Sequence, residues 1–300
     1  MISLVRCTRD NTALVLVSDH EQSTDTTNSI ESGDLRCPHC QSIYHIDRGI
    51  LNLLDPSQMD EESLHEQKRR DADGFTVEKL DTNLARASNE MEMISTLETL
   101  AVRPASLVLE LGCGEGRYTL PLIADARILA IDFSIELLRI LRAKLPAGAR
   151  AGLVMADISS LKVASSQFDY VFSTLTSNLP SRAHRESLYA LASNALCESG
   201  RFVFSTHHHG FRQILSGEKK SGRYSPFGIY RYNFKVRECI DEASQFFKLV
   251  HARPIQIDFP FARTLRLPIV RLSRLLERVP LLSKFGNLVL CAAEQPRKVT

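Results

Sequence analysis

Residues 106–116 read Ser-Leu-Val-Leu-Glu-Leu-Gly-Cys-Gly-Glu-Gly. An apolar run carries Glu110 near its end, and Gly112, Gly114 and Gly116 follow at alternate positions. Glycines spaced this way allow a tight turn in which the backbone approaches a ligand closely. A second apolar run, Ile128–Ile131, ends in Asp132, and a third ends in Ala156-Asp157-Ile158. The three acids suit three tasks. Glu110 can answer a cationic group, directly or through water. Asp132 can accept both hydroxyls of a ribose. Asp157 suits an exocyclic amine on adenine, with Ile158 as an apolar wall. The dinucleotide fingerprint wants glycine or alanine at the position held here by Arg117, and the Gly-Lys-Ser/Thr of a phosphate-binding loop is absent. The chemistry indicated is a nucleoside cofactor with no pyrophosphate and a charged amino-acid end, as in S-adenosylmethionine.

These residues need strands that end together. The sequence predicts strands at 106–111, 128–132, 151–156, 168–174 and 201–205, and later ones near 247–252 and 287–293. Helices are expected over about 117–124, 134–145 with Ser134 as N-cap, 183–197 and 235–245. Alternation of this kind implies an α/β fold: a seven-stranded, mostly parallel Rossmann-like sheet with helices on both faces. Residues 56–104 are charged and helical in pattern, a linker or substrate cap, and residues 1–55 form a small β-rich unit. The main domain would then run 105–300, with a basic insertion at about 254–286.

With those motifs in view, residues 106–205 resemble a class I S-adenosylmethionine-dependent methyltransferase. "LVLELGCGEGRYTL" is similar to the first motif of that family, "ILAIDFS" to its ribose motif, "VMADISSL" to its adenine motif and "FDYVFSTLTSNLP" to its strand-4 motif. The strand-5 entry, "ALCESGRFVFS", departs from the usual Leu-Lys-Pro-Gly-Gly at Glu198 and Ser199. The resemblance implies a cofactor site of Glu110, Gly112, Cys113, Gly114, Asp132, Phe133, Asp157, Ile158 and Thr174. Cys113, between two glycines, reads as a small buried residue rather than a nucleophile.

The segment from Leu35 to Leu54, with Cys37-Pro-His-Cys40, resembles the second half of a zinc-ribbon-like domain found beside or fused to methyltransferases, activators of tRNA-modifying enzymes among them. The first half of such a domain carries another Cys-x-x-Cys; here it reads Cys7-Thr-Arg-Asp10. The resemblance implies a zinc set of Cys7, Asp10, Cys37 and Cys40, since zinc accepts carboxylate oxygen. His39 or His45 could substitute. The other reading is a degenerate, metal-free ribbon held by its apolar hairpin.

The acceptor is harder to read. An Asn/Asp-Pro-Pro-Tyr motif, frequent in amine-methylating nucleic-acid enzymes, is missing after strand 4, where Asn178-Leu-Pro180 stands. His207, His208 and His209 follow strand 5 and could supply a base or merely line a loop. Lys219, Lys220, Arg223, Tyr224, Tyr230, Arg231 and Tyr232 interleave basic and aromatic residues, as a lid or an RNA-stacking surface would. In Leu265–Phe285, the residues Leu272, Leu275, Leu276 and Val279 share one helical face, with Arg266, Arg271, Arg274, Arg278 and Lys284 around them. That face either packs on the domain's own core or makes peripheral membrane contact.

Composition sets the outer bounds. The chain has 300 residues, 44% hydrophobic and 24% charged, with a net charge of +2. That charge is too small to argue for nucleic acid. No apolar run approaches the roughly 20 residues needed to span a bilayer, and the N-terminus lacks a signal-peptide pattern. Seven cysteines, an odd number, four of them placed singly in core elements, indicate a reducing compartment. The expected protein is a cytoplasmic methyltransferase for a small-molecule or lipid-like metabolite. An rRNA or tRNA methyltransferase and a non-catalytic cofactor-binding or scaffold protein are the rivals.

Overall fold

The structure, a computed structural model, describes residues 1–17, 30–73, 83–176, 181–224, 229–257 and 268–298. Asn178–Pro180, the stretch 258–267 that includes Arg266, and much of the polar run after His20 lie outside the described residues, as does the side chain of Tyr224.

Thirteen strands are described. They are β1 (Val15–Leu16), β2 (Gly33–Arg36), β3 (Ile43–Asp47), β4 (Ile50–Asn52), β5 (Leu107–Leu111), β6 (Arg127–Asp132), β7 (Ala151–Met155), β8 (Phe168–Thr174), β9 (Leu196–His207), β10 (Ser221–Tyr224), β11 (Ile229–Tyr232), β12 (Phe247–Ile255) and β13 (Leu288–Pro296). The described helices are α1 (Glu61–Asp73), α2 (Asn83–Leu100), α3 (Thr119–Leu122), α4 (Ile135–Lys144), α5 (Arg182–Ala195), α6 (Phe211–Leu215), α7 (Val236–Ala243), α8 (Ile269–Glu277) and α9 (Pro280–Ser283).

The hydrogen-bonded strand order is β1-β2-β3-β4-β7-β6-β5-β8-β9-β13-β12, while β10 and β11 pair as a separate hairpin. The main sheet therefore has eleven strands among the described residues, not the seven expected, and it is mixed rather than mostly parallel. The extra four come from residues 1–55. Within them β1, β2, β3 and β4 pair antiparallel, and β4 then runs parallel to β7, with Ile50, Leu51 and Asn52 opposite Leu153, Val154 and Met155. Burial explains the extension. Ile50, Leu51 and Leu53 are buried, and their pairing covers β7, which would otherwise present an open edge.

The chain divides into two compact units. The first comprises Met1–Thr76, Val102–Val171 and Asn194–Cys197; the second comprises Val77–Ala101, Phe172–Ser193 and Glu198–Thr300.

In the first unit β5, β6 and β7 are parallel, with Leu109 opposite Leu129 and Ala130 opposite Leu153. All five residues of β5 are buried. That explains a continuous apolar run in place of alternation: both faces of the strand are covered. The helix α4 starts where Ser134 accepts a hydrogen bond from the Leu137 amide, and it buries Leu137, Leu138 and Leu141.

In the second unit β12 and β13 pair antiparallel, and β13 pairs antiparallel with β9. Tyr189, Phe202, Phe204 and Phe247 are fully buried, with Phe202 stacked on Phe204 at 5.1 Å and on Phe247 at 5.7 Å. A buried ion pair ties α5 to α7: both Arg185 nitrogens Nε and Nη2 reach the Glu242 carboxylate, at 3.0 and 2.8 Å. The same guanidinium lies 4.4 Å from the Tyr232 ring centroid and 5.2 Å from that of Phe234. It thereby fixes the end of β11.

Candidate functional site

In the first unit the three motif acids stand at the carboxyl ends of parallel strands, or just beyond them. Glu110 is in β5, Asp132 ends β6 and Asp157 follows β7. The glycine turn is held from below: the Gly112 and Cys113 amides donate to the Ile131 carbonyl, at 2.8 and 2.9 Å. Gly112, Gly114 and Gly116 have φ of 80°, 53° and 90°, a region costly for other residues. A side chain at Gly114 would meet nothing within 4 Å, so the outer surface of this turn is open. At Gly116 a Cβ would fall 2.3 Å from Leu141 Cδ1, so this glycine lets α4 pack against the turn.

Asp132 is 6% exposed and latches the turn, accepting from the Gly114 amide at 2.7 Å and the Ser134 amide at 2.9 Å. Burial still raises its carboxyl above the ordinary value, against those donors. Glu110 is 2% exposed, with Thr119 Oγ1 donating to it at 2.5 Å. Burial pushes Glu110 up to about 8, opposed by the Thr119 hydroxyl and reinforced by Asp132. Arg117 lowers Glu110 and Arg70 lowers Asp132, but burial outweighs both and favours the neutral form. Cys113 is buried and its thiol is raised by burial and by Asp132 and Glu110, the opposite of an activated nucleophile.

Asp157 is bound by its own turn, accepting from the Ser159 amide at 3.1 Å and from the Ser159 hydroxyl. Ile158 is buried, whereas Phe133 is partly exposed. Thr174 ends β8 in the second unit. Two neighbours of these acids carry no readable motif. Thr119 is visible only as a polar residue in a short helix. Asp71, on α1, accepts from Ser134 Oγ at 2.7 Å across 63 positions of sequence.

The N-terminal residues close into a second constellation, also in the first unit. One ligand atom each from Cys7, Asp10, Cys37 and Cys40 falls within 4.8 Å of all the others. Two turns of the same design present them. In each, the residue four after the leading cysteine donates its amide to that cysteine's carbonyl at 3.0 Å: Asn11 to Cys7, and Gln41 to Cys37. In each, the cysteine amide donates to the carbonyl five residues on, Thr12 or Ser42, at 2.9 Å. Asn11 and Gln41 have matching left-handed φ of 65° and 62°. Asp10 thus occupies the place in its turn that Cys40 occupies in the other. The Thr12 amide holds its carboxyl well below the usual carboxylate range. His39 Nδ1 donates to Asp10 Oδ2 at 2.9 Å, and His45 Nδ1 pairs instead with Asp34 at 2.6 Å.

In the second unit a cavity of about 310 Å³ opens at the carboxyl end of β9 and just after β8. Its charged lining is Glu92, Glu218, Arg212 and Arg231; Asn89, Asn233, Gln213, Gln256 and Asn287 add amides, and His207, His208, Leu175 and Leu288 complete it. Glu92 is 1% exposed and accepts from Ser205 Oγ at 2.5 Å. Burial drives His207 down to about 3, helped by Arg231, so its imidazole is neutral at physiological pH and a weak base. His208 is tied to the Gly286 carbonyl at 2.7 Å. These residues come from α2, β9, α6, β11 and the ends of β12 and β13. Of them the sequence singled out only His207, His208 and Arg231.

Residues 108–200 match the family model of a methyltransferase domain. Over those residues the chain is similar to a methyltransferase domain. No curated protein matches the sequence. Among solved structures the domain's fold is similar to phosphoethanolamine N-methyltransferase 2 of Haemonchus contortus bound to phosphomonomethylethanolamine and S-adenosylhomocysteine. That likeness has a TM-score of 0.53 and 14% identity, over 77% of this chain and 60% of that one. The same nematode enzyme bound to S-adenosylmethionine gives a TM-score of 0.51 at 14% identity, with the same coverage. An S-adenosylmethionine-dependent methyltransferase from Mesorhizobium loti gives 0.51 at 18% identity, over 69% of this chain and 98% of that one. The chain thus spans about 60% of the length of the nematode enzyme.

Proposed function

We propose that this protein transfers the methyl group of S-adenosylmethionine to a small hydrophilic metabolite. The observation that carries the acceptor class is the lining of the second unit's cavity: two arginines, two glutamates, two histidines and five amides, with two leucines as its apolar part and no Phe or Tyr among the described residues. Such a surface desolvates well only against a partner that returns its hydrogen bonds. An acyl chain would leave these groups unpaired. A metabolite with an amine, for Glu92 or Glu218, and an acidic or carbonyl group, for Arg212 or Arg231, matches them.

The cofactor residues are assigned as follows. Asp132 receives the ribose hydroxyls, and Glu110 answers the ammonium of the amino-acid end. Asp157 and Ile158 take the adenine, with Phe133 beside it. Gly112, Cys113 and Gly114 supply the close backbone, and Thr174 belongs to the set through the strand-4 motif. The open outer side of Gly114 and the buried acids Glu110 and Asp132, both raised by burial despite their donors, support this fit. Bound S-adenosylmethionine supplies a methyl group already activated on a sulfonium, so the chain's work is to hold and align the acceptor and to exclude water. His207 stays neutral and accepts a hydrogen bond; its weak basicity favours an acceptor with an available lone pair over one that must lose a proton from a strongly held bond.

The N-terminal cluster is proposed as a structural zinc site of Cys7, Asp10, Cys37 and Cys40. The paired turns support it, since a tetrahedral zinc with bonds of about 2.3 Å needs sulfurs about 3.8 Å apart, and Cys7 Sγ and Cys40 Sγ are 3.5 Å apart.

The acceptor is tested by incubating the protein with methyl-labelled cofactor and fractionated cell extract. Label should enter the water-soluble small-molecule fraction. Label in RNA would favour the rRNA or tRNA reading, label in the organic phase a lipid, and no label in any fraction a binding or scaffold role. Any of these three outcomes removes the small hydrophilic acceptor.

A further inference from the structure

We infer that α6, α8 and α9 form a surface that docks on an anionic membrane. An amphipathic helix ordinarily turns its apolar face to the core. Here α8 does not. It packs against α2 and β12 through polar residues: Ser273 is buried and receives the Ile257 amide at 2.9 Å, and Glu277 receives the Gln256 amide at 2.8 Å. Leu275 and Val279 face outward, 60% and 43% exposed.

The neighbouring elements continue this apolar surface. In α9 and after it, Leu281 is 68% exposed, and Leu282 and Phe285 are also exposed. Phe285 meets Phe211 of α6 edge to face, at 5.4 Å between ring centroids. One turn further along α6, Ile214 and Leu215 are exposed, Leu215 to 70%. Gly210 brings this short helix close: a Cβ there would fall 2.8 Å from the Lys284 carbonyl oxygen. Scattered exposed leucines are normal on a soluble protein, but a run of them on adjoining helices marks an interaction surface.

Charge selects the occupant. Arg271, Arg278 and Lys284 are exposed on the same elements. The single acid of Ile269–Phe285 is Glu277, whose side chain is 4% exposed and paired with Arg253 at 3.3 Å. Arg274 of α8 is paired with the exposed Glu98 of α2, but the other cations stand among large apolar side chains with no exposed acid within Ile269–Phe285. This suits the boundary of an anionic bilayer, where the apolar groups enter the acyl edge and the cations meet headgroups. A second copy would set the same cations against one another. This inference rests on the surface alone and is independent of the acceptor.

The test is flotation of the full-length protein with phosphatidylserine–phosphatidylcholine vesicles at low salt. Phosphatidylcholine vesicles and high salt are the comparison arms. The protein should float with the anionic vesicles only, and high salt should release it. Arg271→Gln with Arg278→Gln should weaken partitioning about 30-fold, since each cation near such a surface contributes about 5-fold. Leu215→Ser with Leu281→Ser should weaken it at least about 10-fold. These four side chains are exposed, and an unchanged melting temperature confirms that the variants fold. Failure of the wild-type protein to float overturns the inference, whatever the variants do. So does equal binding to neutral vesicles. Concentration-dependent self-association, lost in the leucine variant and without vesicle binding, overturns it in favour of a second copy.

Discussion

Replacing Glu110 by Gln tests the assigned ammonium site through protons rather than turnover. Burial lifts the Glu110 carboxyl from an ordinary 4.5 to about 8, with the Thr119 hydroxyl opposing and Asp132 reinforcing. At pH 7 a group titrating near 8 is about nine-tenths protonated. An ammonium arriving at the carboxyl favours its ionised form, so the proton must leave. Saturating the protein with S-adenosylmethionine should therefore release up to about 0.9 proton from this group at pH 7, and about 0.5 at pH 8. Calorimetry in buffers of different ionisation enthalpy measures that number directly. In Glu110→Gln the release should vanish, and affinity should fall roughly 10- to 100-fold, as for loss of a hydrogen bond to a charged group. A wild-type protein that binds the cofactor near pH 7 without releasing a proton would refute the reasoning, as would equal release by the variant. The same shift has a stability consequence whose sign is fixed. The folded carboxyl holds its proton to higher pH than the unfolded one, so the cofactor-free protein loses stability as pH rises from about 4.5 to about 8. Glu110→Gln should flatten that decline, leaving the part due to Asp132, which is raised in the same direction.

Asp132→Ala removes the acceptor for the Gly114 and Ser134 amides as well as the assigned ribose partner; cofactor affinity by calorimetry should fall at least about 30-fold, and unchanged affinity would place the ribose elsewhere. Gly116→Ala should destabilise the fold by about 1–3 kcal/mol in urea titration, because it combines a left-handed φ with a forced clash against Leu141; a neutral result would mean that α4 shifts freely. Metal analysis of protein purified without chelator should find one zinc per chain, reduced by Cys37→Ser, with chelator lowering the melting temperature. Metal-free protein of unchanged melting temperature would leave the paired turns as a hydrogen-bonded relic.

Most of the strands after residue 105 were legible because each is an apolar run bounded by a turn. Helix α4 was legible from Ser134 and the spacing of Leu137, Leu138 and Leu141. The cofactor motif was local for the same reason: Glu110, the glycines and Asp132 sit at strand ends whose positions the sequence states. Cys7, Asp10, Cys37 and Cys40 were named through the resemblance to a zinc-ribbon-like domain, and the structure brings their ligand atoms within 4.8 Å of one another. What stayed hidden depends on residues distant in sequence. Nothing in Ile50–Asn52 announces a parallel partner at Leu153–Met155. The cavity gathers Glu92, Arg231 and Asn287 from separate elements, each an ordinary polar residue in its own segment. The sequence also marked an apolar stripe on α8 without saying which way it faces. Periodicity fixes which residues share a side of a helix, and only packing decides whether that side meets the core. Here Ser273 and Glu277 take the inner position through hydrogen bonds to the ends of β12, and Leu275 and Val279 are left outside.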